Sequence, residues 1–192
     1  VGSRSASPPA KAIATDLAQF LVQRGFTIVS GGAKGIDAAS HQGALLKQGA
    51  TVAVLGHGFE HCYPREHRAL FERIQEQGAL ISEFPLETTP RSEFFPRRNR
   101  VVTGLSLGVI VVEAAVQSGS LISARLAMEQ NREVFAVPGS IHNPKARGCH
   151  ALIKQGAKLV ESGDDILEEL QWGNALEITT QANNQDPGLL PA

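Results

Sequence analysis

Apolar positions along this chain follow two alternating rhythms. Between residues 8 and 24, Ile13, Leu17, Phe20 and Leu21 recur at helical spacing, opened by Pro8-Pro9 and closed by Gly25. Phe26 to Val29 is a short β-rich run, followed by Ser30-Gly31-Gly32. Gly35 to Gln48 reads as a helix ending at Gly49. Thr51 to Leu55 is a continuous apolar run, the pattern of a strand buried on both faces. The alternation continues with a helix over 65–77, a strand over 79–82 and a Pro/Thr-rich loop over 85–92. A helix opened by Pro96 comes next, then a strand over 108–112, a helix over 120–130 and a strand over 133–137. After a loop over 140–148, the pattern predicts a short helix (149–155), a short strand (158–160) and a last helix (164–171).

Short strands alternating with longer helices predict a parallel sheet with helices on both faces. Right-handed crossovers make this an α/β, Rossmann-like, doubly wound and mostly parallel sheet. Residues 1–172 read as one domain, and the polar Gln/Asn/Pro stretch 173–192 as a linker or disordered tail. Val1-Gly2-Ser3-Arg4 reads as the last residue of a strand flowing into a phosphate-type loop. That reading predicts a fragment of a longer protein, with most of the first strand lying outside it.

The densest candidate chemistry is Phe94-Phe95-Pro96-Arg97-Arg98-Asn99-Arg100. Pro96 suits the first position of a helix, where its missing N–H needs no partner. On the helical wheel Val101, Val102 and Leu105 share an apolar face expected to be buried. Arg97, Arg100 and Gly104 share another face, and Arg98 lies near the edge of the apolar stripe. Guanidinium groups beside a helix N-terminus suit phosphates. The plainer reading is a solvated basic turn paired with acids such as Glu93.

Composition narrows the choice. The net charge is −1, so any phosphate site is a local patch rather than a whole basic surface. Cys62 and Cys149 match no zinc spacing, and two cysteines suggest a reducing compartment. No apolar run reaches the roughly 18–20 residues a membrane span needs, so no membrane partner is expected. His57, His61, Cys62 and His67 crowd together but match no standard ligand set, and His67 reads as a partly buried helix residue. Glu83 and Glu113 stand at strand ends with no adjacent nucleophile, and they read equally as partners for arginines. Asp37 falls in the first turn of its helix, where the dipole favours it. No catalytic residue, metal or cofactor is assigned.

In such a sheet, ligands meet the carboxyl ends of the strands. Four junctions there are rich in small or polar groups: Gly2-Ser3-Arg4, Ser30-Gly31-Gly32-Ala33-Lys34-Gly35, Ser118-Gly119-Ser120 and Pro138-Gly139-Ser140. Together with Arg97 and Arg100 they predict a phosphate-binding rim. The spacing is neither a dinucleotide fingerprint nor a Walker loop.

These blocks, with Tyr63-Pro64-Arg65-Glu66-His67, Ser82-Glu83-Phe84-Pro85, Val112-Glu113-Ala114 and Phe135-Ala136-Val137-Pro138-Gly139, follow the order seen in the DprA/Smf family of bacterial DNA-processing proteins. The chain resembles that family from residue 1 to about residue 170. Gly148-Cys149-His150-Ala151-Leu152-Ile153 resembles a later family block, with His150 where Asn is more usual. The resemblance implies an extended Rossmann fold in a cytoplasmic, non-enzymatic homodimer that binds single-stranded DNA. It also implies help in loading the RecA recombinase during natural transformation. The contacts it implies are the Gly2-Ser3-Arg4 loop, the cluster Arg97, Arg98, Asn99 and Arg100, and the loop Ser118, Gly119 and Ser120. The rim reading adds Ser30, Gly31, Gly32 and Lys34. Phe94 and Phe95 are the nearest aromatics; Phe95 joins the contacts, although a core role suits either ring and is favoured for Phe95. The alternative is a LOG or lysine-decarboxylase-like nucleotide phosphoribohydrolase, whose glycine loop ends in a glutamate. Here the comparable stretch, Gln117 to Ala124, carries none.

Overall fold

Helix α1 (Pro8–Val22) forms where the periodicity places it. Ser7 caps it by accepting from Ala10 N, and prolines fill the opening positions that need no donor. Its alanine face, Ala10, Ala14 and Ala18, is buried. That face seats α1 against α2 (Ile36–Leu46), where a Cβ on Gly43 would lie 2.4 Å from Thr15 O. The computed structural model describes residues 1–171. The stretch 173–192, expected as a linker, lies outside the described residues.

Strands β1 (Ile28–Ser30), β2 (Thr51–Leu55) and β3 (Ala79–Ser82) form a parallel sheet in that order. Strands β4 (Gly108–Val111), β5 (Glu133–Ala136) and β6 (Lys158–Leu159) form a second parallel sheet, also in chain order. Helices α3 (Arg68–Gln77), α4 (Phe94–Gly104), α5 (Ser120–Glu129), α6 (Arg147–Lys154) and α7 (Gly163–Glu169) complete the alternation. Successive strand residues serve opposite helical layers, as a pleated strand requires. Phe135 and Val137 join α1, α2 and α7, whereas Val134 and Ala136 join Ala124 and Ala127 of α5 and Leu152 of α6. Ala53 and Leu55 pack on Leu70, Phe71 and Ile74 beneath α2. The doubly wound α/β expectation therefore holds. Among the described residues, no helix is long and apolar enough to cross a membrane.

Val1–Ser3 runs beside β4. Val1 N donates to Ile110 O (2.9 Å), Val112 N to Val1 O (3.1 Å) and Ser3 N to Glu113 O (2.8 Å). Between β1 and β4 lies a mostly apolar cavity of about 440 Å³, lined by Val1, Leu17, Val29, Leu105, Ile110 and Phe135 among others. This explains one departure from the sequence reading. Val102 is buried as expected, but Leu105 borders the cavity and is 53% exposed. A second departure is the start of α4, which opens at Phe94 rather than Pro96. Proline is tolerated there because the first turn's N–H groups lack intrahelical partners.

His41 of α2 is wholly buried and shares a 2.7 Å hydrogen bond between Nδ1 and Thr51 Oγ1. Thr51 Oγ1 donates to Ile28 O, so His41 Nδ1–H is the donor to Thr51. His41 Nε2 has no partner. Burial pushes its pKa down from 6.5 to about 4, and Asp37 opposes the shift. The unfolded chain thus takes up a proton that the native fold refuses. Stability is complete above pH 6.5 and falls as pH drops towards 4, by about 3 kcal/mol in all. Urea melts at pH 7.0, 5.5 and 4.5 are expected to show that slope, and His41→Gln to flatten it. An unchanged slope in the variant would place the acid sensitivity elsewhere.

Candidate nucleic-acid interface

The first two rim loops interlock at the carboxyl ends of the strands. Ile36 N donates to Ser3 O (3.3 Å), and Gly35, with φ +79°, opens α2. A Cβ on Gly35 would lie 2.1 Å from Ser3 O, and one on Gly2 would lie 2.9 Å from Glu113 O. These glycines therefore let two backbones touch, a different service from exposing N–H groups to an anion. Glu113 is buried and accepts from Ser7 N (3.2 Å) and Ser7 Oγ (2.6 Å), so it anchors the start of α1 rather than an arginine.

Arg98 braces the second loop from inside. It is 4% exposed, and its Nη1 donates to Gly31 O (2.7 Å) and to Val54 O. Its Nε donates to Asn99 Oδ1 (3.3 Å). Burial works against the guanidinium charge, and Asp37 across the loop works for it. Asp37 in turn accepts from Ala33 N (3.3 Å). Arg98, counted from sequence among the binding residues, is thus turned inward. So is Ser30, which is 1% exposed with an unpartnered Oγ bordering the cavity.

The exposed cations around the first two rim loops and the start of α4 are of two kinds. Lys34 pairs with Glu66, and Arg100 pairs with Glu83. Glu93, the acid nearest in sequence, accepts instead from Ser92 Oγ (3.4 Å). Arg4, Arg91 and Arg97 have no carboxylate partner among the described residues, and each lies against a phenylalanine ring. Arg4 Cζ is 5.2 Å from the Phe95 centroid, Arg91 Cζ 5.8 Å from Phe94 and Arg97 Cζ 6.0 Å from Phe84. Phe95 also meets Tyr63, with centroids 5.3 Å apart. Arg4, Gly31, Gly32, Lys34, Tyr63 and Phe95 line a small recess of about 50 Å³.

Ser118, Gly119 and Ser120 open α5 at the other half of the edge. The two hydroxyls bond each other at 2.7 Å, and Ser120 N donates to Ser118 Oγ (3.4 Å). Among the described residues, no hydrogen bond or ring contact joins this loop to the Arg4 cluster. The histidines of the histidine-rich stretch bond backbone carbonyls. His57 Nδ1 bonds Gly58 O, His61 Nε2 bonds Glu87 O and His67 Nδ1 bonds Gly32 O. Among the described residues, no group of three or more His, Cys, Asp or Glu gathers as a metal site. Sequence reading passed over Tyr63, Phe84 and Arg91 as site residues. For two of them the signal was proximity: Phe84 precedes the 85–92 loop that delivers Phe94 and Phe95, and Arg91 lies within it.

Fold and rim together define an α/β domain that presents arginines and aromatic rings at the carboxyl edge of a parallel sheet. The chain belongs to the DNA recombination-mediator protein A family, whose model matches residues 1–171. It is 52% identical to Protein Smf of Escherichia coli (strain K12), over 90% of this chain and 46% of that protein. It is 47% identical to DNA processing protein DprA of Bacillus subtilis, over 91% of this chain and 59% of that protein. The chain thus spans about half the length of these curated relatives. The solved structure of DprA from Streptococcus pneumoniae is similar, with TM-score 0.82, 44% identity and coverage of 88% of this chain and 59% of that one. A Helicobacter pylori DprA structure described for its single-stranded DNA binding mode has TM-score 0.82 and 30% identity, covering 90% and 79%. A molybdenum cofactor binding protein from Rippkaea orientalis, at 16% identity and TM-score 0.61, shares the fold alone.

Proposed function

We propose that this domain binds single-stranded DNA along the rim, and that as a cytoplasmic homodimer it protects an incoming strand and helps load it with RecA recombinase. The observation that carries the reading is Arg4. It is held over Phe95 beside the Gly31–Gly32 loop, with no carboxylate partner among the described residues. A flexible single strand is held by cations that follow its phosphates and by rings that stack its bases. Family membership and the Helicobacter pylori relative support the same ligand. Gly31, Gly32, Lys34 and Phe95 line this recess, and Gly2, Ser3, Arg97, Asn99 and Arg100 are, on this reading, further contacts of the strand. Ser118, Gly119 and Ser120 extend the rim along the edge. One domain holds a short stretch, and two rims on one strand raise the effective affinity.

Fluorescence anisotropy with a labelled poly-dT oligonucleotide and the matching duplex, each at low and moderate salt, tests the reading. Preference for the single strand, weakening as salt rises, is the expected result. Equal affinity for duplex, or indifference to salt, would remove the proposal.

A further inference from the structure

The ring contacts extend the rim past the residues the motifs single out. The chain has eight phenylalanines, one tyrosine and one tryptophan, and four of these rings sit together here. Tyr63 and Phe95 form one pair. Phe84 and Phe94 form another, with centroids 4.6 Å apart and planes 34° apart. Phe94 and Phe95 are consecutive at the start of α4, so the two pairs flank one helix end. Phe84, Phe94 and Phe95 are half-buried, which fixes each ring while leaving part of it at the surface. A guanidinium with no carboxylate partner among the described residues lies near each phenylalanine: Arg4 at one end of the row, Arg91 and Arg97 at the other.

A solvated basic face needs no such sorting, because its arginines pair with whatever acid is near. Here the rim cations that neutralise acids are Lys34 and Arg100. Around the start of α4 and the first rim loop, the exposed arginines without a carboxylate among the described residues, Arg4, Arg91 and Arg97, lie beside rings. A planar guanidinium resting near a ring keeps its N–H edge free for phosphate, and the rings offer faces to bases.

Resting on the single-stranded DNA reading, we propose that the strand runs from the Arg4–Phe95 recess across the start of α4 to a second platform made by Phe84 and Phe94. Arg91 and Arg97 hold the phosphates at that platform. Arg91, Phe84 and Phe94 are then binding residues, and full affinity requires a strand long enough to reach both platforms.

The test is anisotropy with dT3, dT6 and dT12 on the parent chain, Arg4→Ala, Arg91→Gln and the double variant Phe84→Leu/Arg91→Gln. The double variant is expected to bind dT12 about tenfold more weakly, the size of one lost stacking platform, and to leave dT3 unchanged. Arg91→Gln alone is expected to shallow the salt dependence by about 0.7 in log–log slope. Arg91 is exposed, so this variant carries the test if Phe84→Leu fails to fold. If Arg4→Ala weakens binding while Arg91→Gln and the double variant match the parent at every length, the second platform is wrong and the first stands. If the parent binds no oligonucleotide, the underlying reading fails.

Discussion

Arg98→Ala is expected to destabilise the domain by about 3 kcal/mol, because it removes the donor to the buried Val54 O and the half-buried Gly31 O and leaves the buried Asp37 without its cation. Gly31 O and Val54 O both accept from Nη1 and lose that donor, and Asp37 loses the positive charge that faces it. An unsatisfied buried polar group costs about 1–3 kcal/mol, so Val54 O and the uncompensated Asp37, with a smaller share from Gly31 O, reach the figure. For a domain of this size the melting temperature falls by about 10 °C. Arg98→Lys keeps a charge but not the forked donor, and is expected to recover less than half of the loss. Gly31→Ala reaches the same defect from the other side, since its Cβ would lie 2.4 Å from Arg98 Nη2. Urea melts of the three variants decide the matter. A shift within about 0.5 kcal/mol for Arg98→Ala, the range of an ordinary surface substitution, would mean that the guanidinium is not seated on those carbonyls.

That role was only half legible in the sequence. The helical wheel sets Arg98 beside Val101 and Val102, which is where it points. What the wheel lacks is the far partner: Gly31 and Val54 are 67 and 44 residues away in the chain. An arginine in a basic run is ordinarily an exposed one, and burial is the exception that needs partners. The ion pairs were hidden for the same reason. Glu83 was readable as a partner for arginines and does pair with Arg100, but Glu113 is occupied by Ser7. The fold was more legible because its signals are local. A β-branched apolar run such as Thr51–Leu55, short and bounded by Gly49 and Gly56, suits a strand covered on both faces, and the α1 periodicity with its Ser-Pro-Pro opening suits a capped helix. Leu105 marks the limit of local pattern: periodicity identifies an apolar face but not whether anything covers it, and beside the cavity little does.

Changing Arg4 and Arg97 together to Ala is expected to weaken single-stranded DNA binding roughly 100-fold at low salt, about 1.5 kcal/mol for each lost charged hydrogen bond. The log–log salt slope should shrink by about 1.4, since each phosphate contact on a single strand accounts for about 0.7. Both side chains are exposed and free of carboxylates among the described residues, so the melting temperature should hold. Arg100→Ala supplies the contrast. Its guanidinium is committed to Glu83, so DNA must first displace a carboxylate that remains nearby as a like charge. A loss of about threefold is expected there, because an exposed ion pair is worth at most about 1 kcal/mol and its breaking offsets part of any gain. If Arg100→Ala instead costs as much as Arg97→Ala, the Glu83 pair opens on binding. Pairing in the free domain would then no longer separate binding arginines from the rest. If the Arg4/Arg97 variant keeps both affinity and slope, the strand does not lie on this edge of the sheet.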